Sequence, residues 1–192
     1  MDASYLLSPV IFVTDTLLSF YITVVWLRFL GQWVAADFHN PLFQFTIRLT
    51  HPPLRMLRRV IPPLGRVDTA AVVLMLVLEI VGQALLAFLQ TRAVPPAGAL
   101  MLGSLARWLE LVLNAWIFMI IIQAALSWFS IGHYHPAAAF LRDLTEPLLR
   151  PARRLLPPFS GVDLSPLLVL LGLQVVKMLA LPLLAVAGQS GF

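Results

Sequence analysis

The side chains that could do chemistry are concentrated in two basic, proline-rich segments. The first, "LTHPPLRMLRRVIPPLGRVD", covers residues 49–68, and "LTEPLLRPARRLLPPFSGVD" covers residues 144–163, at an offset of 144 − 49 = 95 positions. Positive arginines attract the phosphates of an anionic lipid leaflet. The arginines of both segments are therefore predicted to bind lipid headgroups or a partner: Arg55, Arg58, Arg59, Arg150, Arg153 and Arg154.

Each basic segment is predicted to hold a short helix at the membrane interface. Thr50 and Thr145 are expected to be the N-caps, because proline follows in the first helical turn, where a missing N–H costs little. The three arginines of the first segment are spaced i, i+3, i+4 and should share one helical face. Pro151 is expected to kink or end the second helix. The apolar stretches before the two segments are too short to span a membrane, and we predict separate interfacial or re-entrant helices there.

Prolines and an aspartate close each segment. The double prolines should stop the short helix, and the aspartate is placed to cap the spanning helix that follows. The residues of this motif are Pro62, Pro63, Asp68, Pro157, Pro158 and Asp163.

Polar and charged residues also interrupt the apolar parts of the chain, where they are costly and usually functional. Such residues serve either interhelical hydrogen bonding or a transport path, and both alternatives stay open. At about 1.5 Å per residue, Glu79 and Lys177 should lie at similar depths, which predicts that they pair; Asp15 and Glu110 are the alternative acids for Lys177. The intramembrane set is Asp15, Glu79, Glu110, Asn114, Gln174 and Lys177, with Arg107 expected near the outer end of its helix.

The remaining candidate chemistry is limited. His133 and His135, in "HYH", could ligate a metal or a haem, although a solvated loop pair is the more ordinary interpretation. The chain has no cysteine, which excludes disulfides and thiolate sites. Nucleophile-elbow, P-loop and zincin motifs are also absent from the sequence. We therefore predict no enzyme activity, no metal and no cofactor.

The elements that must position these residues are membrane helices. The chain has 192 residues, of which 60% are hydrophobic and 11% charged, and its mean hydropathy is +0.90. A soluble domain carries about 25% charged residues. Four apolar stretches are long enough to span a bilayer, at about residues 9–34, 69–89, 109–129 and 166–186. Their lack of period-2 alternation favours helices over a barrel.

The chain contains two copies of one repeated unit. At the offset of 95, 13 of the 29 residues in 40–68 are identical to their counterparts in 135–163. We predict two units, residues 1–95 and 96–192, each a pair of spanning helices joined by an Arg/Pro-rich interfacial connector. Two spans per unit return the chain to its starting side, so the two helical hairpins should be parallel, with both connectors on one face.

Arginine placement predicts which face that is. The connectors carry nine arginines, at positions 48, 55, 58, 59, 66, 142, 150, 153 and 154, whereas the loop joining the units is assigned two, at 92 and 107. By the positive-inside rule, both connectors should be cytoplasmic and both termini periplasmic.

These paired boxes, of the form "LTxPLLRxxRRxxPPxxxVD" between paired spans, resemble the YggT family of bacterial inner-membrane proteins. The resemblance covers nearly the whole chain. It implies an inner-membrane location and links to osmotic tolerance, to cell division or nucleoid distribution, and to membrane-complex assembly. Plastid relatives are implicated in haem attachment to a cytochrome, so haem ligation by His133 and His135 stays an open alternative.

The function predicted from all of this is that of a non-enzymatic interaction or assembly protein. Its expected partners are anionic lipid headgroups and a protein, with no nucleic acid, and a homo-oligomer is compatible with the sequence. The alternative is a small channel or transporter for ions that uses the polar interior of the bundle.

Overall fold

The computed structural model describes residues 3–65, 67–128, 135–155 and 163–189, which form six α-helices and no strand. The helices are α1 (Ala3–Trp33), α2 (Pro41–Leu57), α3 (Thr69–Thr91), α4 (Ala97–Trp128), α5 (Pro136–Leu155) and α6 (Ser165–Gln189). Four are long and apolar enough to cross a membrane, over Leu7–Trp33, Thr69–Thr91, Ala97–Ser127 and Ser165–Leu184. The predicted all-α class with four spanning helices is confirmed, and these are the helices of a multi-pass membrane protein.

The spanning helices pack in two pairs that share one junction. Within the first half of the chain α1 packs against α3, and within the second half α4 packs against α6. The two pairs meet where α3 and α1 contact α4. The connector helices lie on the same assembly, since α2 contacts α1 and α3, α5 contacts α4 and α6, and α2 and α5 contact each other. This arrangement places α4 between α3 and α6.

The buried core lies where the C-terminal half of α1 meets α2, α3 and α4. The rings of Trp26 and Trp116 meet edge to face there, with centroids 5.4 Å apart. Helices in lipid associate through close van der Waals packing, which small residues permit. Gly82 shows this directly, because a Cβ atom on it would lie 1.9 Å from Cδ2 of Leu18. The helices α1 and α3 therefore approach each other closely at Gly82.

The connector helices begin earlier than predicted. Asn40 is the N-cap of α2, since its side-chain oxygen accepts a hydrogen bond from the backbone N–H of Leu42 at 3.0 Å. Thr50 and Thr145, predicted as N-caps, lie inside α2 and α5, and that prediction is wrong. Their hydroxyls instead donate to carbonyls one turn back, Thr50 to Thr46 at 2.6 Å. The physical reason is that the preceding apolar stretch is already helical, so the stretch and the basic segment form one continuous helix.

Two further boundaries differ from prediction. Pro151 does not end α5, which continues to Leu155 and packs against α4 and α6. The third span begins at Ala97, about twelve residues before its predicted start. Arg107 therefore lies inside α4 and not in an outer loop, which changes its role completely.

Candidate functional site

The centre of the bundle contains a charged network organised by Arg107 of α4. Its guanidinium forms an ion pair with Asp15 of α1, and its Nε lies 3.2 Å from Oε1 of Glu79 on α3. Glu79 is only 2% exposed, and Nε2 of Gln83 donates a hydrogen bond to the same carboxylate oxygen at 3.3 Å. One arginine from the second half of the chain thus satisfies two acids from the first half.

A second ion pair lies on the next side of α4. The ammonium Nζ of Lys177 on α6 lies 3.2 Å from Oε1 of Glu110 and donates to Oδ1 of Asn114 at 2.9 Å. Arg107, Glu110 and Asn114 are spaced i, i+3, i+7 along α4 and so share one face. That face links α4 to the three other spanning helices, because its residues bind partners on α1, α3 and α6.

The predicted pairing of Glu79 with Lys177 is wrong. Equal depth along the membrane is necessary for a pair but does not fix which way a side chain points, and α4 stands between α3 and α6. No contact between α3 and α6 occurs within the described ranges. Lys177 takes Glu110, which was one of its two alternative acids. Gln174, also predicted to belong to the polar interior, is exposed on α6 away from this network.

Arg107 is the functional candidate whose role sequence reasoning missed. Because the third span is predicted to begin only at residue 109, Arg107 is counted with the loop between the units, near the outer end of that span. A signal was present: Arg107 lies three residues before Glu110, which places both on one helical face. The repeat adds a second signal, since Asp15 and Glu110 are equivalent at the offset of 95 (110 − 15), so an acid recurs at the same level of each unit.

A polar cleft of about 500 Å³ opens beside the network. Its lining comes from α1 and α4 and combines hydroxyls, an amide and charges with apolar side chains: Ser19, Thr23, Arg107, Glu110, Leu111, Asn114, Ala115 and Phe118. The cleft is large enough to admit a small polar solute or ion. Its two charged side chains, however, are already engaged with Asp15, Glu79 and Lys177.

The C-terminal half of α1 is tied to α2 by a buried arginine. Arg28 is 3% exposed, and its Nη1 donates to the hydroxyl of Thr50 at 2.8 Å and to the carbonyl of Ile47 at 3.5 Å. The Thr50 hydroxyl donates its hydrogen bond to the carbonyl of Thr46, so its oxygen is free to accept one from Arg28. This explains why a threonine occupies that position in the first basic segment, although it caps no helix.

The same Arg–Asp pair closes both connectors. Arg58, immediately after α2, forms an ion pair with Asp68, immediately before α3. At the equivalent positions, Nε of Arg153 lies 3.0 Å from Oδ2 of Asp163. The first pair is the more buried, since the side chain of Asp68 is 8% exposed and that of Asp163 is 43% exposed. Each connector is thus tied to the start of the following spanning helix.

The two aspartates differ in their capping. Asp68 makes no side-chain cap bond, so the predicted capping role is wrong for it, because its carboxylate is turned to Arg58. Asp163 pairs with Arg153 and also accepts a hydrogen bond from the backbone N–H of Ser165, the first residue of α6, at 2.9 Å. Burial acts to raise the pKa of Asp163, but the hydrogen bonds from Ser165 and Arg153 outweigh it and hold that pKa below its ordinary value.

The arginines of the boxes therefore divide into two groups. Arg58 and Arg153 are held in internal ion pairs, and Arg153 also contacts Glu146, with Nη1 and Oε2 2.9 Å apart. The others are exposed and form no ion pair within the described part of the chain: Arg55, Arg59, Arg150 and Arg154. Pro62 and Pro63, which follow the arginines of the first connector, are exposed, whereas Pro157 and Pro158 lie outside the described residues.

A second cavity, of about 620 Å³, lies between the end of α1 and α5. Three acids and Arg150 line it, so this arginine faces carboxylates as well as solvent. Burial raises the pKa of Asp143 despite a hydrogen bond from the backbone of Asp37. Among described residues no group of three His, Cys, Asp or Glu side chains could hold a metal ion; His135 is exposed, and His133 lies outside the described residues.

Comparison with known proteins supports the repeat. The sequence model of the CCB3/YggT family matches the chain twice, over residues 7–89 and 102–184. Both ends of the two matches differ by 95 positions (102 − 7 and 184 − 89), the same offset that relates the basic segments and the Arg–Asp pairs. The tandem match covers all four spanning helices and both connectors.

Several bacterial proteins are similar over most of their length. An uncharacterized protein of Pseudomonas aeruginosa is 40% identical over 184 residues, covering 91% of this chain and 89% of the relative. The uncharacterized protein YggT of Escherichia coli K12 is 35% identical over 167 residues, covering 87% and 86%.

A shorter relative matches a single unit. The uncharacterized protein ycf19 of Porphyra purpurea is 33% identical over 76 residues, which is 39% of this chain and 76% of the relative. No solved structure matches the chain. The tandem family match and the full-length relatives show that this chain belongs to the CCB3/YggT family.

Proposed function

We propose that this chain is a non-enzymatic interaction and assembly protein of the bacterial inner membrane. The observation that carries the proposal is the separation of its charges into two classes. The ionised side chains deep in the spans form ion pairs between helices, and such pairs are expected in a rigid bundle. The exposed arginines remain on the connectors, where they are available to a partner.

The proposed partners are anionic lipid headgroups and a protein that docks on the same surface. Arg55 and Arg59 lie on and just beyond the last turn of α2, both exposed, whereas Arg58 between them turns back to Asp68. Each exposed arginine is worth about 1 kcal/mol towards an anionic leaflet. Two of them give a preference of about 30-fold for anionic over neutral lipid. We propose no binding of nucleic acid, because this basic surface carries no interleaved aromatic residues for base stacking.

The orientation that this function requires has both connectors in the cytoplasm and both termini in the periplasm. This orientation is supported by the difference in arginine number between the connectors and the loop that joins the units. Because Arg107 lies inside α4, only Arg92 remains in that loop, which makes the difference larger. Reporter fusions at Gly65 should behave as cytoplasmic, and fusions after Gly188 as periplasmic. A cytoplasmic signal from the second fusion would contradict the orientation.

The decisive test measures retained lipid on the purified full-length protein. Native mass spectrometry of protein extracted from membranes of mixed neutral and anionic lipid should show bound anionic lipid. The double change Arg55→Gln and Arg59→Gln should lower its retention by about 30-fold. Arg58→Gln is the matched control, because it removes a connector arginine that faces Asp68, and it should leave lipid retention nearly unchanged. Equal losses in both variants, or in neither, would overturn the proposed role of the exposed arginines.

A physiological readout should follow the same division. In cells that lack the protein, the resemblance leads us to look for defects in osmotic tolerance, in cell division or in membrane-complex assembly. The Arg55→Gln, Arg59→Gln double variant should fail to restore any such defect although it inserts at normal levels. Full restoration by that variant would leave the basic segments as topology signals only.

The second candidate function is a small ion channel or transporter, favoured by the cleft of about 500 Å³ beside Arg107 and Glu110. Purified protein in liposomes should then conduct an ion, and Glu110→Gln should change that flux, whereas Arg59→Gln should not. Absence of flux above that of empty liposomes would leave the assembly function as the better proposal.

A further inference from the structure

We propose that a second copy of this chain docks on one exposed face of α6, with the two copies related by a two-fold axis at Gln174. This goes beyond the proposed function, because it assigns a membrane-embedded self-association site. The face consists of four side chains on successive turns of α6: Leu167, Leu171, Gln174 and Met178.

The starting observation is a polar side chain in an unfavourable place. Gln174 lies at the middle of the span Ser165–Leu184, is exposed, and forms no hydrogen bond to any other described residue. An amide that faces hydrocarbon loses its hydrogen bonds to water and regains none, which costs free energy. A neighbouring helix that supplies both a donor and an acceptor at this depth removes that cost.

In the other repeat unit, the residue equivalent to Gln174 is buried by neighbouring helices. Gln174 is equivalent to Glu79 at the offset of 95 (174 − 79), and Glu79 is 2% exposed because α1 and α4 cover it. Within an apolar stretch of 18 residues in each span, 28% of the residues of α3 are buried, whereas none of those of α6 is. Among the described elements, α6 contacts only α4 and α5, so it lacks the additional spanning neighbour that its counterpart has.

The spacing of the face fits a helix partner. Its four positions follow i, i+4, i+7, i+11, the repeat of a left-handed helix pair. The apolar members are widely exposed, at 57% for Leu167, 58% for Leu171 and 66% for Met178. This seam borders the one that faces α4, on which Lys177, three residues after Gln174, binds Glu110. The four side chains of the exposed face can therefore pack against a second helix while the contact between α6 and α4 is kept.

The partner is identified by self-complementarity. A glutamine amide carries two N–H donors and a carbonyl acceptor, so two glutamines facing each other satisfy one another. A two-fold axis brings a residue opposite its own copy, as in the commonest class of homo-oligomer. A second α6 therefore supplies at Gln174 the group that Gln174 requires, with leucines and methionine packing above and below it.

Cysteine crosslinking tests this geometry directly, because the natural chain contains no cysteine. In the full-length protein in membranes, Leu171→Cys should form a disulfide-linked dimer on mild oxidation. Val176→Cys is the matched control, since Val176 is also exposed, at 48%, but lies about 200° around the helix from Gln174. A head-to-tail contact would instead require a second cysteine on α1, such as Leu17→Cys, to crosslink with Leu171→Cys. That result, equal crosslinking at Val176, or no crosslinking at Leu171 would overturn the proposal.

A second measurement tests the role of the amide. Dimerisation measured by energy transfer while the protein is diluted in lipid should weaken by about 3- to 30-fold in Gln174→Leu, the range expected for one interhelical amide bond. The substitution makes the span more apolar, so insertion should not suffer. Gln174→Asn should retain part of the affinity. Unchanged or stronger dimerisation in Gln174→Leu would refute an amide-centred interface.

Discussion

Arg107 should be the most sensitive single position in the membrane-embedded part of this protein. Replacing it with Met keeps a long side chain but removes the charge that serves both Asp15 and Glu79. Glu79 is 2% exposed and has no other basic partner within the described ranges, so its carboxylate would be left buried with only Gln83. Breaking a buried pair in this way costs about 3–5 kcal/mol.

The magnitude can be set against a control within the same network. Lys177→Met leaves Glu110 without its cation, but the side chain of Glu110 is 45% exposed and lies beside the polar cleft. Lys177→Met leaves one acid unpaired beside the cleft, whereas Arg107→Met leaves two, Asp15 and the buried Glu79. Because each unpaired intramembrane charge is costly, we expect Lys177→Met to cost less than Arg107→Met. The difference should be at least about 1.4 kcal/mol in the free energy of unfolding, which is a ten-fold change in the ratio of folded to unfolded protein.

The assay is reversible unfolding of the purified protein in mixed micelles, followed by tryptophan fluorescence. Trp26 of α1 and Trp116 of α4 pack against each other and should report the separation of these helices on unfolding. The triple variant Arg107→Met, Asp15→Asn and Glu79→Gln removes all three charges together. It should recover most of the lost stability, because an uncompensated buried charge costs more than a missing pair. The reasoning is refuted if Arg107→Met costs no more than Lys177→Met, or if the triple variant is as unstable as Arg107→Met.

Three further predictions concern the connectors and the helix contacts. Arg58→Gln should lower the free energy of unfolding by about 1–3 kcal/mol, because it leaves the buried carboxylate of Asp68 without a partner. Arg153→Gln, at a more exposed pair, should cost less than about 1 kcal/mol in the same denaturation assay. Equal costs would contradict the argument from burial. Gly31→Ala should destabilise by about 1–3 kcal/mol, because its Cβ would lie 2.5 Å from the ring of the fully buried Phe43. Gly103→Ala, where a Cβ meets nothing within 4 Å, should not, and the thermal midpoints of the two variants decide this. Because the folded-state pKa of Asp163 is lowered, its stabilising contribution is present above its unfolded pKa of about 3.9 and is lost as the pH falls through the lower folded value. Unfolding midpoints between pH 2 and 6 should therefore separate the natural protein from Asp163→Asn at pH 6 and converge at the acidic end.

Much of the architecture could be predicted from the sequence because lipid leaves few choices. A spanning segment must satisfy its own backbone hydrogen bonds and be apolar for about 20 residues, so hydropathy identified all four spans. The repeat also followed from the sequence, since the same motif recurs at a fixed offset. It correctly pointed to Asp68 and Asp163 as equivalent residues. Helix boundaries were less accurate, as at Thr50 and Arg107, because local cap and hydropathy signals compete with the packing of the finished helix.

What the tertiary structure alone decided was the pairing of the charges. The sequence places Glu79, Lys177, Glu110 and Arg107 within apolar segments, and their spacing gives depth along each helix. Depth does not determine which helices are neighbours or how each is rotated about its axis, and a salt bridge requires both. Only the position of α4 between α3 and α6 assigns Arg107 to Glu79 and Lys177 to Glu110, and the same packing leaves Gln174 facing outward.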